Sequence, residues 1–226
     1  LLSESLARHE VEVVFHLAAQ AITSAAQRDP IGTLDTNIRG TWNVLEASRR
    51  AGSVRAVVLA SSVKVYGAQP GLPFSEDAPL NGCQPYDASK IGAELISSTY
   101  HRAYELPVVI TRLNTIYGDG RMFLPMINMA MIMTDREVPA RWDPMPHMPI
   151  HADEMCEQLE AMLNAASFPA TIVNWGGDEI VTLQEWCAMV GEWSGKEVKI
   201  NMRPVPNATR TGGSDQTKRR SITGPS

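Results

Sequence analysis

Residues Arg55–Ala60 read RAVVLA, a short apolar run that leads directly into the pair Ser61-Ser62. Two other runs, Glu12–Leu17 (EVVFHL) and Pro107–Arg112 (PVVITR), are similarly rich in β-branched residues. Apolar runs of this length without alternation are typical of strands that are buried on both faces of a sheet. We therefore predict parallel strands at these three places.

Helices are predicted between these strands. The pair Asp29-Pro30 is a helix start, because it combines a capping residue with proline at the first helical position. The apolar face of this helix is formed by Ile31, Leu34, Ile38, Val44 and Leu45, and the helix ends at Gly52. A second helix is predicted from about Tyr86 to Tyr104. Strands that alternate with such helices indicate an α/β fold with a doubly wound parallel sheet.

The pattern changes after Gly118. The predicted elements are a Met-rich helix at Met122–Met133, a Pro-rich stretch at Pro139–Pro149, a helix at about Asp153–Ala166, a strand at Ala170–Trp175, a helix at Thr182–Ser194 and a strand at Glu197–Asn201. From Arg203 the chain is polar, and we predict no order there. We interpret Lys218–Arg220 as a charge run in contact with solvent.

The composition excludes several classes of function. Of the 226 residues, 44% are hydrophobic and 20% are charged, which is typical of a soluble globular protein. A net charge of -5 provides no positive field for nucleic acid or an anionic membrane. The apolar stretch Met122–Thr134 is too short to cross the roughly 30 Å of a bilayer core. Three distant cysteines fit a reducing cytosol, so we expect a cytoplasmic protein.

Tyr86 and Lys90 are four residues apart on a predicted helix, so their side chains lie on one face. A tyrosine that acts as a base near pH 7 needs its pKa lowered by about three units, and a nearby ammonium supplies part of that change. The alternative interpretation is an amphipathic helix on which both side chains face solvent.

The strand ends place further polar and small residues near this pair. In an open α/β sheet, ligands bind outside the carboxyl ends of the strands, where Ser61-Ser62 follow Ala60. His16–Gln20 (HLAAQ) closes the preceding strand with two alanines, which allow a flat ligand to lie close to the backbone. Tight packing between strand and helix explains the same alanines.

A series of sequence blocks resembles the NAD-dependent epimerase/dehydratase family, the extended short-chain dehydrogenases. The blocks are FHLAAQ (Phe15–Gln20), TNIRGT (Thr36–Thr41), VLASSVKVYG (Val58–Gly67), PYDASK (Pro85–Lys90) and RLNTIYG (Arg112–Gly118), in the family order. A looser resemblance continues through Pro149–Glu154, Ile172–Gly177 and Thr217–Pro225. The resemblance implies an incomplete Rossmann-like sheet with a small, partial C-terminal substrate-binding region.

The resemblance also implies a role for individual residues. Tyr86 would be the acid/base that exchanges a proton with a substrate hydroxyl, Lys90 would bind the nicotinamide ribose and lower the pKa of the phenol, and Ser62 would bind the same hydroxyl. Residues that would bind NAD, or NADP, are Leu17, Ala18, Ala19, Asn37, Ala60, Ser61, Tyr86, Lys90 and Leu113. Residues that would bind the substrate are Ser62, Asn114, Thr115 and His147. Asn37 has an alternative structural role, in which it satisfies backbone groups in its helix.

The sequence departs from the family at its start. In the family, the first strand and the GxxGxxG turn that binds the diphosphate precede the HLAA block, whereas here only Leu1–Val11 precede it. We interpret the chain as a fragment, and we expect it to bind NAD poorly and to leave the strand at Glu12–Leu17 with an open edge. The alternative function is a non-catalytic remnant that binds partners through that edge.

The sequence also departs from the family around the substrate. Family 4,6-dehydratases carry acidic residues directly after the active-site hydroxyl residue, where this chain has Val63 and Lys64. Thr115 replaces a common asparagine, and His147 stands where sugar-nucleotide members often carry an arginine that pairs with diphosphate. The first departure argues against 4,6-dehydration, and the other two argue against a strict specificity for sugar nucleotides. We expect an epimerase or oxidoreductase that acts on a hydroxyl of a sugar or sugar-nucleotide-like substrate.

The remaining predictions concern metal binding, domains and assembly. His147, His151, Asp153 and Glu154 are close in sequence, but Pro149 prevents a regular helix between the histidines, so we predict no metal site. We expect a partial NAD-binding domain at 1–120, continued by about 150–178. Residues 121–149 and 179–226 would form the partial substrate-binding region. The family resemblance also implies a homodimer that forms through helices of the NAD-binding domain.

Overall fold

The computed structural model describes residues 1–118, 123–167, 170–205 and 212–226. The helices are α1 Leu2–Arg8, α2 Thr23–Arg28, α3 Pro30–Leu34, α4 Gly40–Ala51, α5 Pro85–Tyr104, α6 Phe123–Met133, α7 Ala152–Asn164, α8 Leu183–Ser194 and α9 Thr217–Thr223. The strands are β1 Val13–His16, β2 Ala56–Ser62, β3 Val108–Leu113, β4 Ile116–Tyr117, β5 Val138–Ala140, β6 Pro146–His147, β7 Ile150–His151, β8 Thr171–Trp175, β9 Val181–Thr182 and β10 Ile200–Met202. A π-helical segment covers Asp35–Arg39, and a 3-10 turn covers Val63–Tyr66.

A parallel sheet with the strand order β1-β2-β3-β8 forms the centre of the fold. Its register pairs Val57 with Val108 and places Ser62 beside Leu113. The predicted α/β class and its parallel strands are confirmed. The sheet is an incomplete Rossmann-type sheet, and β1 lies at its edge with Phe15 and the following Leu17 exposed.

Both faces of the central sheet are covered, as the apolar runs predict. All seven residues of β2 are buried. Val57 and Leu59 pack in one core cluster with Leu45 of α4, whereas Val58 packs in another with Met162 of α7. Alternate side chains of β2 therefore reach opposite helical layers, which is the reason that this strand carries no polar residue before its end.

The segment from Asp29 to Gly52 differs in part from its predicted form. Asp29 caps the helix, since its carboxylate accepts a hydrogen bond from the Gly32 amide at 2.9 Å. Gly52 ends α4 with a φ of 71°, a left-handed conformation that favours glycine. Between them the helix widens into the π-helical segment, which changes the face presented by the N-terminal turn. Ile31, predicted to face the core, is 80% exposed.

The C-terminal part contains a separate small core. Ile132, Val138, Leu183 and Cys187 pack together there, below the short parallel pair of β5 and β10. The last strand begins at Ile200, three residues later than the predicted Glu197. The division of the chain into an NAD-binding and a substrate-binding region stays a prediction.

The tail is more ordered than predicted. The described residues 212–226 include α9, and the Arg219 side chain is fully buried. Its guanidinium pairs with the Asp178 carboxylate and donates to the Gly224 carbonyl at 2.7 Å. The interpretation of Lys218–Arg220 as a solvated run was therefore wrong for Arg219, because a carboxylate distant in sequence compensates its burial. Met122 and residues 206–211, which also carried predictions, lie outside the described residues.

Among the helices that the structure describes, none combines the length and the apolar character needed to cross a bilayer.

Candidate active site

The carboxyl ends of β1, β2 and β3 bring the predicted site residues to one edge of the sheet. His16 ends β1 and is followed by Leu17, Ala18 and Ala19; Ala60, Ser61 and Ser62 end β2; Leu113 ends β3 and leads into Asn114 and Thr115. Helix α5 begins at Pro85, so that Tyr86 and Lys90 lie in its first two turns. Each of these elements thus contributes to the same region, as the carboxyl-end rule predicts.

Tyr86 and Lys90 lie inside the protein, with only 8% and 6% of their surface exposed. Ser62 forms a side-chain hydrogen bond with Tyr86, and Lys90 Nζ lies 5.9 Å from the centre of the tyrosine ring. The Lys90 ammonium donates to the Ala60 carbonyl at 2.8 Å. The solvent-facing alternative for this pair is therefore wrong, and the hydroxyl, the phenol and the ammonium lie together.

Burial dominates the acid–base behaviour of this group. Desolvation raises the pKa of Tyr86, while the hydrogen bond with Ser62 acts in the opposite direction. The sequence predicts a lowered phenol pKa, but here Lys90 is held at the Ala60 carbonyl. Burial lowers the pKa of Lys90 to about 8, against the effect of the Glu94 carboxylate. Burial therefore disfavours the charged form of each group, the phenolate of Tyr86 and the ammonium of Lys90.

Asn37 connects two elements of the site rather than serving its own helix. Its Oδ1 accepts from the Gln20 amide at 2.7 Å, and its Nδ2 donates to the Gln20 carbonyl at 3.1 Å. The same Nδ2 donates to Ser89 Oγ at 2.8 Å. The loop that carries Ala18 and Ala19 is thereby fixed to α5 between Tyr86 and Lys90.

A buried polar network lies directly below the site, and the sequence analysis did not find it. Glu94 accepts a hydrogen bond from Ser61 Oγ at 2.5 Å and pairs with Arg112, whose Nη2 is 2.8 Å from Glu94 Oε2. Arg112 Nη1 also donates to the Tyr66 hydroxyl at 2.9 Å. One sequence signal was available: Glu94 is a charged residue one turn after Lys90, on the predicted site face of the helix.

The predicted substrate residues that follow β3, Asn114 and Thr115, lie close to His147, and Thr115 and His147 contact each other. Thr115 Oγ1 and His147 Nδ1 are 2.9 Å apart. Asn114 Oδ1 accepts from the backbone amides of Thr115 and Met148, so this amide orders the loop. Burial, together with the charge of Lys64, lowers the pKa of His147 to about 4, so the imidazole is neutral near pH 7.

A cavity of about 460 Å³ lies on the Thr115 and His147 side of the site. Its further lining includes Tyr117, Trp186 and Trp193, which give it aromatic walls. Neither Ser62 nor Tyr86 lines this cavity.

The histidine and carboxylate cluster has a structural role in part. His151 caps α7, with its Nδ1 accepting from the Asp153 amide at 3.2 Å, while the Glu154 carboxylate accepts a hydrogen bond from the His151 amide at 2.8 Å. In the described residues, no group of three or more histidine, cysteine or acidic side chains has a metal-binding arrangement.

These features define a class of protein: a parallel α/β sheet whose strand ends carry a buried Ser-Tyr-Lys group beside an alanine-lined loop. Comparison with family models agrees, because residues 1–170 match the NAD dependent epimerase/dehydratase family. The chain belongs to this family.

Known relatives include both epimerases and dehydratases. A UDP-glucuronate 4-epimerase of Thermodesulfobacterium geofontis is 41% identical over 111 residues, which are 49% of this chain and 34% of the relative. A CDP-glucose 4,6-dehydratase of Salmonella typhimurium is 36% identical over 107 residues, 47% of this chain and 30% of the relative. The matched region thus spans about a third of these curated relatives.

The fold similarity covers more of the chain than these sequence matches. The crystal structure of UDP-glucose 4-epimerase from Thermus thermophilus, a complex with NAD, superposes with a TM-score of 0.84 at 26% identity. The superposition covers 97% of this chain and 74% of that structure. The described sheet therefore matches a large part of an epimerase fold.

Proposed function

We propose that the chain carries the catalytic part of an NAD-dependent epimerase that acts on a hydroxyl group of a sugar or sugar nucleotide. The observation that carries the proposal is the buried contact of Ser62, Tyr86 and Lys90 at the carboxyl edge of the sheet. Membership of the family supports NAD chemistry, and relatives named as sugar-nucleotide epimerases support the substrate class.

In the proposed mechanism, Tyr86 removes the proton of a substrate hydroxyl and later returns it. Ser62, already hydrogen-bonded to Tyr86, orients that hydroxyl. Lys90 places a positive charge near the phenol ring, which favours the phenolate that forms during proton transfer. Thr115 and His147 would hold a part of the substrate away from the reacting carbon.

The residues present fit the nicotinamide side of NAD. Ala18 and Ala19 leave the loop after β1 without bulky side chains, and Asn37 fixes this loop to α5. Lys90, in the second turn of α5, would bind a ribose hydroxyl. When bound, NAD would supply the hydride acceptor for the carbon that carries the substrate hydroxyl. NADP in place of NAD is compatible with these residues.

Two residues favour epimerisation over 4,6-dehydration. The elimination of water requires a second acid and base beside the substrate, which the family resemblance places directly after the active-site hydroxyl residue. Here Val63 is buried and has no proton to transfer, and Lys64 carries an ammonium group where the dehydratases carry a carboxylate. Tyr86 can therefore transfer a proton, but the two acidic residues that dehydration requires are replaced by Val63 and Lys64.

We expect the longest form of the protein that the gene encodes, incubated with NAD and a panel of UDP-, dTDP- and CDP-sugars, to produce an epimer of unchanged mass. Chromatography separates the epimer from its substrate, and mass spectrometry tests for loss of water. A 4-keto-6-deoxy product would overturn the preference for epimerisation. Absence of any product across the panel, with a folded and NAD-saturated protein, would contradict the proposal itself.

A non-catalytic binding module is the second candidate. The exposed Phe15 and Leu17 at the edge strand β1 favour it, since an open strand edge pairs readily with another chain. The buried Lys90 argues against this candidate. Burying an ammonium group costs free energy, and a binding module would gain nothing from it.

We also infer a homodimer that forms through α4 and α5. Trp42 on α4 and Leu95 on α5 are large apolar side chains with exposed surface, and Leu95 is 68% exposed. α4 and α5 pack against each other, so these residues belong to one helical layer. This assembly stays a prediction.

A further inference from the structure

Three consecutive residues of β2 are each joined to a different turn of α5. The Ala60 carbonyl accepts from Lys90 Nζ at 2.8 Å, and Ser61 Oγ donates to Glu94 Oε1 at 2.5 Å. Ser62 forms its hydrogen bond with Tyr86. The position of Ser62 relative to the phenol therefore depends on the two contacts that precede it on the strand.

Glu94, the third of these partners on α5, is also held by a side chain of β3. Arg112 of β3 approaches it with two nitrogens: Nε is 3.0 Å from Oε1 and Nη2 is 2.8 Å from Oε2. The side chains of Glu94 and Arg112 are 4% and 3% exposed. A bidentate, fully buried pair of this kind has a fixed geometry, so the carboxylate is a rigid anchor for Ser61.

Arg112 is itself held in place, which extends the anchor across the sheet. Its Nη1 donates to the Tyr66 hydroxyl at 2.9 Å and to the Glu76 carbonyl at 2.8 Å. The Tyr66 hydroxyl in turn donates to Asn174 Oδ1 on β8 at 2.6 Å. Glu94 thus connects the reacting end of β2 with β3 and β8.

Glu94 also supplies a charge to the site. The charged and titratable groups around Lys90 are His16 on β1, Tyr86 and Glu94 on α5, and Arg112 on β3, which contacts Glu94. Glu94 is the carboxylate in this set, and it opposes the loss of the Lys90 proton that burial favours.

We propose that Glu94 is a positioning residue of the active site. Through Ser61 it fixes the end of β2 at which Ser62 meets Tyr86, and it lies one helical turn after Lys90 on α5. This inference rests on the proposed function in one respect: it takes Tyr86 and Lys90 to be the residues that act in the reaction. It assigns to Glu94 no contact with substrate or cofactor.

The first test replaces Glu94→Gln in the longest form of the protein and follows the Lys90 side-chain resonance by NMR as a function of pH. Loss of the carboxylate is expected to lower the pKa of Lys90 by about one unit. The matched control is Glu46→Gln, which removes a surface carboxylate paired with Arg49 and Arg50 and should leave the Lys90 titration unchanged. An unchanged titration in a folded Glu94→Gln chain would overturn the proposal.

A second pair of variants decides the question if Glu94→Gln does not fold. Ser61→Ala removes the link to the strand and keeps the Glu94–Arg112 pair, whereas Ser61→Thr keeps the hydroxyl. The ring carbon of Tyr86 that bears the hydroxyl, labelled with ¹³C, should change its resonance in Ser61→Ala and return to its original position in Ser61→Thr. A Tyr86 resonance that does not move in Ser61→Ala would contradict the positioning role.

These measurements need neither NAD nor substrate. Failure of the proposed function would appear as absence of turnover with the titrations as expected. Failure of the positioning role would appear as unchanged Lys90 and Tyr86 signals, whatever the turnover.

Discussion

Tyr86→Phe is expected to lower turnover at least about a hundredfold while NAD affinity changes little. The substitution removes one oxygen from a buried ring and leaves the ring packing in place, so its effect falls on proton transfer. General acid–base catalysis by a positioned side chain contributes about 10²–10⁴-fold, which sets the lower bound. The measurement is steady-state turnover in the longest form of the protein, with NAD affinity determined by calorimetry.

Tyr104→Phe is the matched control for this substitution. Tyr104 ends the same helix, is 53% exposed and stacks on Arg49, a contact that phenylalanine retains. Its turnover should remain close to that of the unmodified protein. Lys90→Ala should differ from Tyr86→Phe by weakening NAD as well, because the ammonium is proposed to hold the ribose. If the Tyr86→Phe protein turned over substrate at a nearly normal rate, Tyr86 would not be the catalytic acid/base.

Arg112→Met is expected to lower the free energy of unfolding by about 3–5 kcal/mol, because it leaves the buried Glu94 carboxylate without its counter-charge. It also removes the donor to the Tyr66 hydroxyl. The double variant Glu94→Gln/Arg112→Met should recover part of this loss, since no buried charge is then uncompensated. Urea unfolding of the chain, followed by circular dichroism, measures both quantities.

Arg50→Met is the surface comparison. Arg50 pairs with Glu46, but its side chain is 65% exposed, and exposed ion pairs contribute about 0–1 kcal/mol. An Arg112→Met chain that is no less stable than Arg50→Met would show that the Glu94–Arg112 pair does not anchor the sheet. The positioning role of Glu94 would then lose its physical basis.

The strands of the central sheet could be predicted because burial on both faces leaves a direct mark on the sequence. β1, β2 and β3 each coincide with an apolar run, and the prediction of α5 was correct to within one residue at its start. The same rule places Ser62 and Tyr86 at one edge of the sheet. The site residues could thus be grouped from two features: the parallel strand order, which brings the strand ends together, and the four-residue spacing of Tyr86 and Lys90 on one helix.

Contacts between distant parts of the chain could not be predicted in this way. Asn37 reaches the backbone of Gln20, and Glu94 meets Arg112 from another element; neither contact has a periodic signature. The direction of the Tyr86 pKa shift depends on how deeply the phenol is buried, which composition does not reveal. Arg219 shows the same limit, because its compensating Asp178 lies 41 positions away.

The π-helical segment had no recognisable signal either. A helical face drawn through Ile31 and Leu34 assumes an unbroken 3.6-residue period, which the wider turn at Asp35–Arg39 disrupts. The exposure of Ile31 follows from that break. Asn37 lies within this π-helical segment, and its side chain contacts Gln20 and Ser89 from there. The helical period is therefore broken at the residue that makes these tertiary contacts.

Retention of deuterium during epimerisation tests the central claim most directly. The longest form of the protein is incubated with NAD and a UDP-sugar that carries deuterium on the carbon of the reacting hydroxyl, and the product is examined by NMR. If Tyr86 moves the proton while hydride leaves and returns to the same carbon, the epimer retains the label and Tyr86→Phe forms almost none of it. An epimer that has exchanged its deuterium for solvent hydrogen would contradict the hydride-transfer account.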